Sequence, residues 1–270
     1  MPQPKSNTHA APSDRDILDA RARAWKSRPL LRSVYHDYFE AMAERFTRHA
    51  SDARRPHGVV VEIGGGAGHF KAFYPDMIVT DIVPTPHIDL AADATRLPFA
   101  DGSIDNLVMQ DVLHHIPFPL SFFKEAGRTL APGGRIVMIE PFISTLSNVL
   151  YRLSHPEPVD MRARIFRSPS DVSGLDPAVF AGRGAFDANQ AIPTLLFFRY
   201  AEMFQRRFPN LVVRERTVHS MVAYPLSGGF SKPVLMPLAA VPAAKALESL
   251  LSPLARWLAF RMLVVLEKSP

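Results

Sequence analysis

The chain has 270 residues, 47% of them hydrophobic, enough to bury a sizeable core as one globular unit carrying insertions. Cysteine is absent, which excludes a disulfide framework, a thiolate zinc site and a cysteine nucleophile, and suits a reducing cytoplasm. The formal net charge is +5, but the basic residues are spread along the chain, which describes a solvated surface and no nucleic-acid stripe.

The opening MPQPKSNTHAAPSDRD lacks the apolar stretch of a signal peptide and reads as a short disordered leader. From Ile17 to Ala50, the residues Leu30, Leu31, Val34, Tyr35, Tyr38, Phe39 and Met42 fall near one stripe, which predicts one or two helices ahead of a sheet. Periodicity is compatible both with ordinary core packing and with a helix that lids a ligand. From Gly58 onward, apolar runs alternate with turn clusters and helical segments in the rhythm of β-α-β units. The predicted strands are Val59–Ile63, Met77–Thr80, Asn106–Met109 and Arg135–Ile139, with the turn signals ADGS and APGG ahead of the last two. There is no internal repeat.

The first strand leads into VVVEIGGGAGHF, where Glu62 is followed by Gly64, Gly65, Gly66 and Gly68. Glycines at this place allow positive φ and let a ligand approach the main chain. A dinucleotide fingerprint requires glycines at its first, third and sixth positions; counting from Gly64 the sixth is His69, and from Gly66 it is Lys71. A phosphate-binding loop also fails, because no Gly-Lys-Ser/Thr follows.

The remaining pattern, an acid two residues before alternating glycines, resembles motif I of the class I, Rossmann-like S-adenosylmethionine-dependent methyltransferases of the type-11-like group. The resemblance extends from Val59 to Pro141 through MIVTDI, AADATRLPF, DNLVMQDVLHHI and RTLAPGGRIVMIEP. It implies an α/β fold with a seven-stranded, mostly parallel sheet, helices on both faces and an antiparallel C-terminal strand, here with a helical N-terminal cap and acceptor-side insertions. S-adenosyl-L-methionine is the implied cofactor. The resemblance assigns its methionine end to Glu62 and the glycines, with Gln110 and Asp111 nearby, its ribose to Asp81 beside Ile82, and its adenine to Asp93 and Ala94.

Beyond Glu140 the chain turns rich in proline, glycine, arginine and phenylalanine, as suits irregular segments laid over a scaffold. A helix is expected over Leu195–Phe208, strands over Leu211–Val222 and Met262–Glu267, and a helical insertion over Pro237–Trp257. The resulting single domain divides into a leader and cap (1–50), a cofactor-binding core (58–141), an acceptor region (142–210) and C-terminal strands with their insertion (211–270). Arg256, Arg261 and Pro253 interrupt the apolar C-terminal stretch well short of the roughly 20 residues of a membrane span. A helix buried against the sheet is preferred there over one lying at a bilayer surface.

A sulfonium methyl is already activated, so its transfer calls for an in-line nucleophile in a dry site and needs no metal. If the acceptor is a hydroxyl its proton must leave, and His114, His115 and Glu140 are the candidate bases; capping and packing explain each of them equally well. His155, Glu157, Asp160, Arg162 and Arg164, followed by Asp187, Asn189 and Gln190, could bind a polyhydroxylated acceptor, and they show no recognised metal-ligand spacing. The aromatic run Phe186–Phe208 reads either as the mouth for a lipid-linked acceptor or as helix packing. O-methylation of a small, glycan or lipid-linked acceptor is the expected reaction. An isoprenoid, quinone or polyketide-like acceptor is the alternative, and a non-catalytic cofactor- or partner-binding protein the reading from another class. A cytoplasmic place, peripheral to a membrane at most, is expected, with no nucleic-acid partner and an oligomeric state left open.

Overall fold

A computed structural model describes residues 13–47, 56–166, 179 and 184–270. Residues 1–12, which hold most of the expected leader, lie outside them. Seven strands form one sheet: β1 (Val60–Ile63), β2 (Ile78–Asp81), β3 (Leu90–Ala91), β4 (Ile104–Gln110), β5 (Leu130–Pro141), β6 (Leu211–His219) and β7 (Arg261–Lys268), in the order β3-β2-β1-β4-β5-β7-β6. The pairings from β3 through β5 are parallel, whereas β7 runs antiparallel to both β5 and β6. Strand order reverses between β1 and β4, and in open parallel sheets the crevice outside the carboxyl ends at such a reversal is where ligands bind.

Both faces of the sheet are buried, which is why its central strands read as continuous apolar runs. Val61, Ile63, Leu107 and Met109 face a core built with α4 (Pro119–Thr129) and the acceptor region; Val60, Val79, Val108 and Val137 face the N-terminal helices. There α2 (Pro29–Ala43) buries all seven residues of its predicted stripe, so that stripe is core packing. The helix ahead of it, α1 (Asp14–Ser27), is different: it buries only Leu18 and Ala24. Its start is fixed by a capping box, in which the Ser13 hydroxyl accepts from the Asp16 amide and the Asp16 carboxylate accepts from the Ser13 amide at 2.9 Å.

Two further helices are α3 (His69–Phe73), after the glycine turn, and α5 (Thr145–Ser154), which opens the acceptor region after β5. The helix expected over Leu195–Phe208 is divided into α6 (Ile192–Thr194), a π-helical turn at Leu195–Arg199 and α7 (Ala201–Arg207). Phe197 and Phe204 pack edge-on against Phe123 at 5.9 and 4.8 Å, so most of the aromatic run there is core and only Phe186 reaches the ligand cavity described below.

The insertion before β7 departs from expectation. It comprises α8 (Ala223–Ser227), α9 (Val241–Leu250) and α10 (Ala255–Leu258). Instead of lying buried on the sheet, α9 buries only Val241 and Ala244, while Leu250 is 77% and Trp257 54% exposed. Among the described residues no single helix is long and apolar enough to cross a membrane; Leu238–Leu250 and Ser252–Leu258 meet that test only together, with a 62° bend between them.

Candidate active site

The site begins where β1 ends. Gly64 adopts φ +72°, and a Cβ there would lie 2.4 Å from Val112; one on Gly65 would lie 2.3 Å from Val79 and 2.5 Å from the Glu62 carboxylate; one on Gly66 would lie 2.7 Å from Leu18. Bare backbone is therefore required at three successive positions by three different neighbours. The turn is closed by the Gly65 amide donating to the Thr80 carbonyl at 3.0 Å and by the Thr85 hydroxyl donating to the Gly66 carbonyl at 2.7 Å.

Beneath this turn Glu62 is buried, and its Oε2 has no hydrogen-bond partner. Burial, and then the negative charge of Asp81, push its carboxyl up to about 8. A buried acid with an unused oxygen is costly unless a cation or donor comes to it. Gln110, at the end of β4, is in the same condition, with both side-chain polar atoms buried and unpartnered. His69 follows the turn and stacks on Trp25 of α1 at 4.1 Å; burial lowers its imidazole to about 4.

Asp81 closes β2 and grips the same turn, accepting from the Gly66 amide at 2.9 Å and from the Val83 amide at 2.8 Å. Burial raises its carboxyl above the usual range. Ile82 beside it is exposed. Asp93 lies two residues beyond β3, which pairs with β2 through Asp81 and Ala91, so it sits along the same carboxyl edge of the sheet; it accepts from the amide and hydroxyl of Thr95, both at 2.8 Å. Ala94 packs against the core on the α4 side.

After β4 the chain turns sharply at Asp111, whose φ of +58° is in the left-handed region. Its carboxylate accepts from the Tyr35 hydroxyl at 3.0 Å and from both terminal nitrogens of Arg261, which also donates to the Tyr224 hydroxyl. Arg261 is 4% exposed, opens β7, and carries a buried Nε without a partner.

His114 and His115 occupy the following 3₁₀ turn. Glu140, buried completely at the end of β5, accepts the Val112 and Leu113 amides on Oε1 at 2.8 and 2.7 Å and His114 Nδ1 on Oε2 at 2.7 Å. His114 Nε2 lies 3.4 Å from Glu157. Burial alone would lower the His114 imidazole, but its hydrogen bonds to Glu140 and Glu157 dominate and hold it at about 9. Burial and the neighbouring His114 charge take His115 down to about 3. The Nδ1 of His115 is 3.0 Å from the Asp187 carbonyl, to which it donates, and its Nε2 is 3.8 Å from Glu157. Burial opposes ionisation of Glu157, yet the three histidines around it, His114 foremost, hold its carboxyl well below the ordinary range. The Gln190 amide donates to it as well.

A cavity of about 1160 Å³ joins these pieces. Glu62, Gly64, Gly65, Gly66, Gln110, Asp111, His114 and His115 all line it; Gly68, Asp81, Ile82, Asp93, Ala94 and Glu140 do not, although Asp81 bonds to the Gly66 amide and Glu140 to the His114 ring, both of residues that do. Ligand pockets are about 300–1,000 Å³, so this one has room beyond a single small ligand. Asp16, Leu18 and Arg21 place α1 over the glycine turn as part of the wall. The sequence reading omitted Arg21, Tyr35, His69, Tyr224 and Arg261 from the site, and named Glu157 only as one of several polar residues. Arg261 did carry a signal, a lone charge in the apolar run AFRMLVVL; the others had none that is local.

Residues 22–138 match the family described as a methyltransferase domain. Over that segment the chain is similar to a methyltransferase domain. An uncharacterized methyltransferase of Mycobacterium sp. (strain JLS) is 36% identical over 93 residues, which is 29% of this chain and 37% of the relative. A 37.1 kDa transposon protein of Streptomyces fradiae is 34% identical over 119 residues, 43% of this chain and 32% of the relative. This chain thus spans well under half the length of these curated relatives. A solved S-adenosylmethionine-dependent methyltransferase from Archaeoglobus fulgidus, 12% identical with a TM-score of 0.50, covers 88% of this chain and 94% of its own, so the fold extends well beyond the matched segment.

S-adenosylmethionine is the cofactor of such a domain, and the residues present fit it. The molecule brings an ammonium and a sulfonium but no phosphate, and the methyltransferase turn offers a buried carboxylate with a free oxygen beneath glycine backbone, with no lysine among the glycines.

Proposed function

We propose that this chain transfers a methyl group from S-adenosylmethionine to a hydroxyl oxygen of a small acceptor held in the outer part of the same cavity. The observation that carries the reading is the unpartnered Glu62 carboxylate oxygen under the glycine turn. Bound there, the cofactor supplies a methyl already activated on sulfur. Glu62 would receive its ammonium, while Asp81, Asp93 and Ala94, which stand outside the cavity wall along the carboxyl edge of the sheet, would reach its ribose and adenine from there. Leu18 and Arg21 of α1 close over the turn and keep water from the reacting centre.

The lining offers an acceptor polar groups in Glu157, His115 and Gln190 and apolar surface in Leu150, Phe186, Phe230 and Leu235. That division favours a hydroxylated compound with an apolar body over a free sugar. His114 is a positioning residue, because both of its ring nitrogens already face carboxylates. Glu140 is assigned the same role, since it spends its oxygens on two amides and that imidazole.

Titration calorimetry with S-adenosylmethionine and with its demethylated product tests the first half of the reading; absence of binding by either overturns it. Release of labelled methyl to a panel of phenols, quinols and isoprenoid alcohols, set against free sugars, tests the second. Transfer to the apolar hydroxyl compounds is expected, and label found only on sugars, nitrogen or carbon overturns the acceptor assignment.

A further inference from the structure

The two neighbouring histidines and Glu157 stand in a relation that methyl transfer does not call for. One ligand atom from each of His114, His115 and Glu157 lies within 4.8 Å of the other two, with His114 Nε2 3.4 Å from one Glu157 oxygen and His115 Nε2 3.8 Å from the other. Metal bonds to these ligand types are about 2.0–2.2 Å, which sets neighbouring donor atoms roughly 3–3.5 Å apart. The three donors therefore approach the spacing of a coordination face before any side chain moves.

The outer nitrogens are the second observation. In metal sites each ligating imidazole donates its other N–H to a carboxylate or a carbonyl, which fixes the tautomer and aims the ring. Here His114 Nδ1 is 2.7 Å from Glu140, and His115 Nδ1 is 3.0 Å from the Asp187 carbonyl. Both rings are thus held from behind with Nε2 forward, one by the most buried acid of the site. All three residues line the cavity, so further coordination positions face the space where an acceptor enters.

We propose that His114, His115 and Glu157 form a site for a first-row divalent cation on the acceptor wall of the cavity. Two imidazoles and one carboxylate suit zinc, iron or cobalt better than magnesium or calcium, which prefer all-oxygen shells. Binding the cation displaces the Nε2 proton that His114 now directs at Glu157. It also draws Glu157 away from the Gln190 amide, while the Arg21 guanidinium, 3.7 Å from the second carboxylate oxygen, is beyond hydrogen-bond length and rests on the Phe186 ring. The cation would meet the acceptor's oxygen, and to that extent its role rests on the function proposed above; its binding does not.

The test is titration of the full chain, freed of metal by chelator, with cobalt(II) followed by its visible absorption, and with zinc(II) in competition. One cation per chain is expected, bound at least tenfold more weakly by Glu157→Gln and by His115→Ala, each checked for its melting temperature, and unchanged in His87→Ala, an exposed histidine elsewhere. Affinity for S-adenosylmethionine should stay within about twofold in the Glu157→Gln variant, so loss of the cation and failure of the cofactor reading are separable. No stoichiometric uptake, or uptake of equal strength in Glu157→Gln, overturns the site; should His115→Ala not fold, Glu157→Gln decides alone.

Discussion

The two halves of the cavity are built on different principles. Around β1 and β2, the proposed cofactor site is built from main chain and nearby acids, with partners near in sequence: the Gly66 amide and Asp81 are 15 positions apart, and the Thr85 hydroxyl reaches back 19 to the Gly66 carbonyl. Beyond β4, toward the proposed acceptor side, side chains are held from far away, with 72 positions separating His115 from the Asp187 carbonyl and 150 separating Asp111 from Arg261. A pocket for one invariant ligand can be written into a single strand-turn-helix. A pocket for a particular acceptor needs groups that only the finished fold brings together, and a loss at any one of them is felt across the core.

The sharpest way to break that comparison is at its longest-range contact. Arg261→Leu leaves Asp111 and its hydrogen-bond partners around an uncompensated buried charge, and removing one partner of such a pair costs about 3–5 kcal/mol. Urea denaturation should show that loss, and the double variant Asp111→Leu with Arg261→Leu should recover part of it. A single variant as stable as the parent would mean that the acceptor half does not depend on distant pairs.

On the cofactor side the expected effect is smaller and of another kind. Asp81→Ala should weaken S-adenosylmethionine binding by about 1–3 kcal/mol, the loss of buried hydrogen bonds to a ligand hydroxyl and to the Gly66 amide. Calorimetry reads it directly, and unchanged affinity in a folded variant removes Asp81 from the ribose site.

What was legible in the sequence follows the same division. The parallel strands, the glycine turn and the stripe of α2 could be read because buried runs, turn residues and 3.6-residue periodicity are local signals. The two-residue β3 escaped notice because its length carries no pattern, and the π-helical turn at Leu195–Arg199 because its sequence is as apolar as an α-helix. The double histidine stood out, but nothing near it announced that Glu157 would close on both rings. The insertion misled most: Pro237–Trp257 has the composition of a buried helix, and only the fold shows that its leucines face outward.

Glu62 offers a finer test of the cofactor half. Its folded value of about 8 lies above its usual 4.5, so the fold prefers the neutral acid. The resulting contribution to stability is complete below about pH 4.5 and is lost as pH rises through 8. A cofactor ammonium beside the carboxylate reverses this preference, so binding near pH 7 should release about one proton. Calorimetry in phosphate and in Tris, whose ionisation heats differ, measures the release. Equal apparent enthalpies in both buffers would sink the assignment, and Glu62→Gln should abolish the difference.

The smallest effect expected concerns the outward face of the acceptor half. Leu153 and Leu250 are 78% and 77% exposed, so replacing either with serine removes little packing and leaves no cavity. Surface changes of this kind stay within about 0.5 kcal/mol, against about 2–5 kcal/mol for truncating a leucine in a core. Thermal melts of Leu153→Ser and Leu250→Ser should therefore overlay the parent's. A loss of core size at either position would mean that the insertion closes onto the body of the protein in solution. The acceptor half would then own a second apolar core, and its reliance on long-range polar pairs would no longer be what sets it apart from the turn proposed to hold the cofactor.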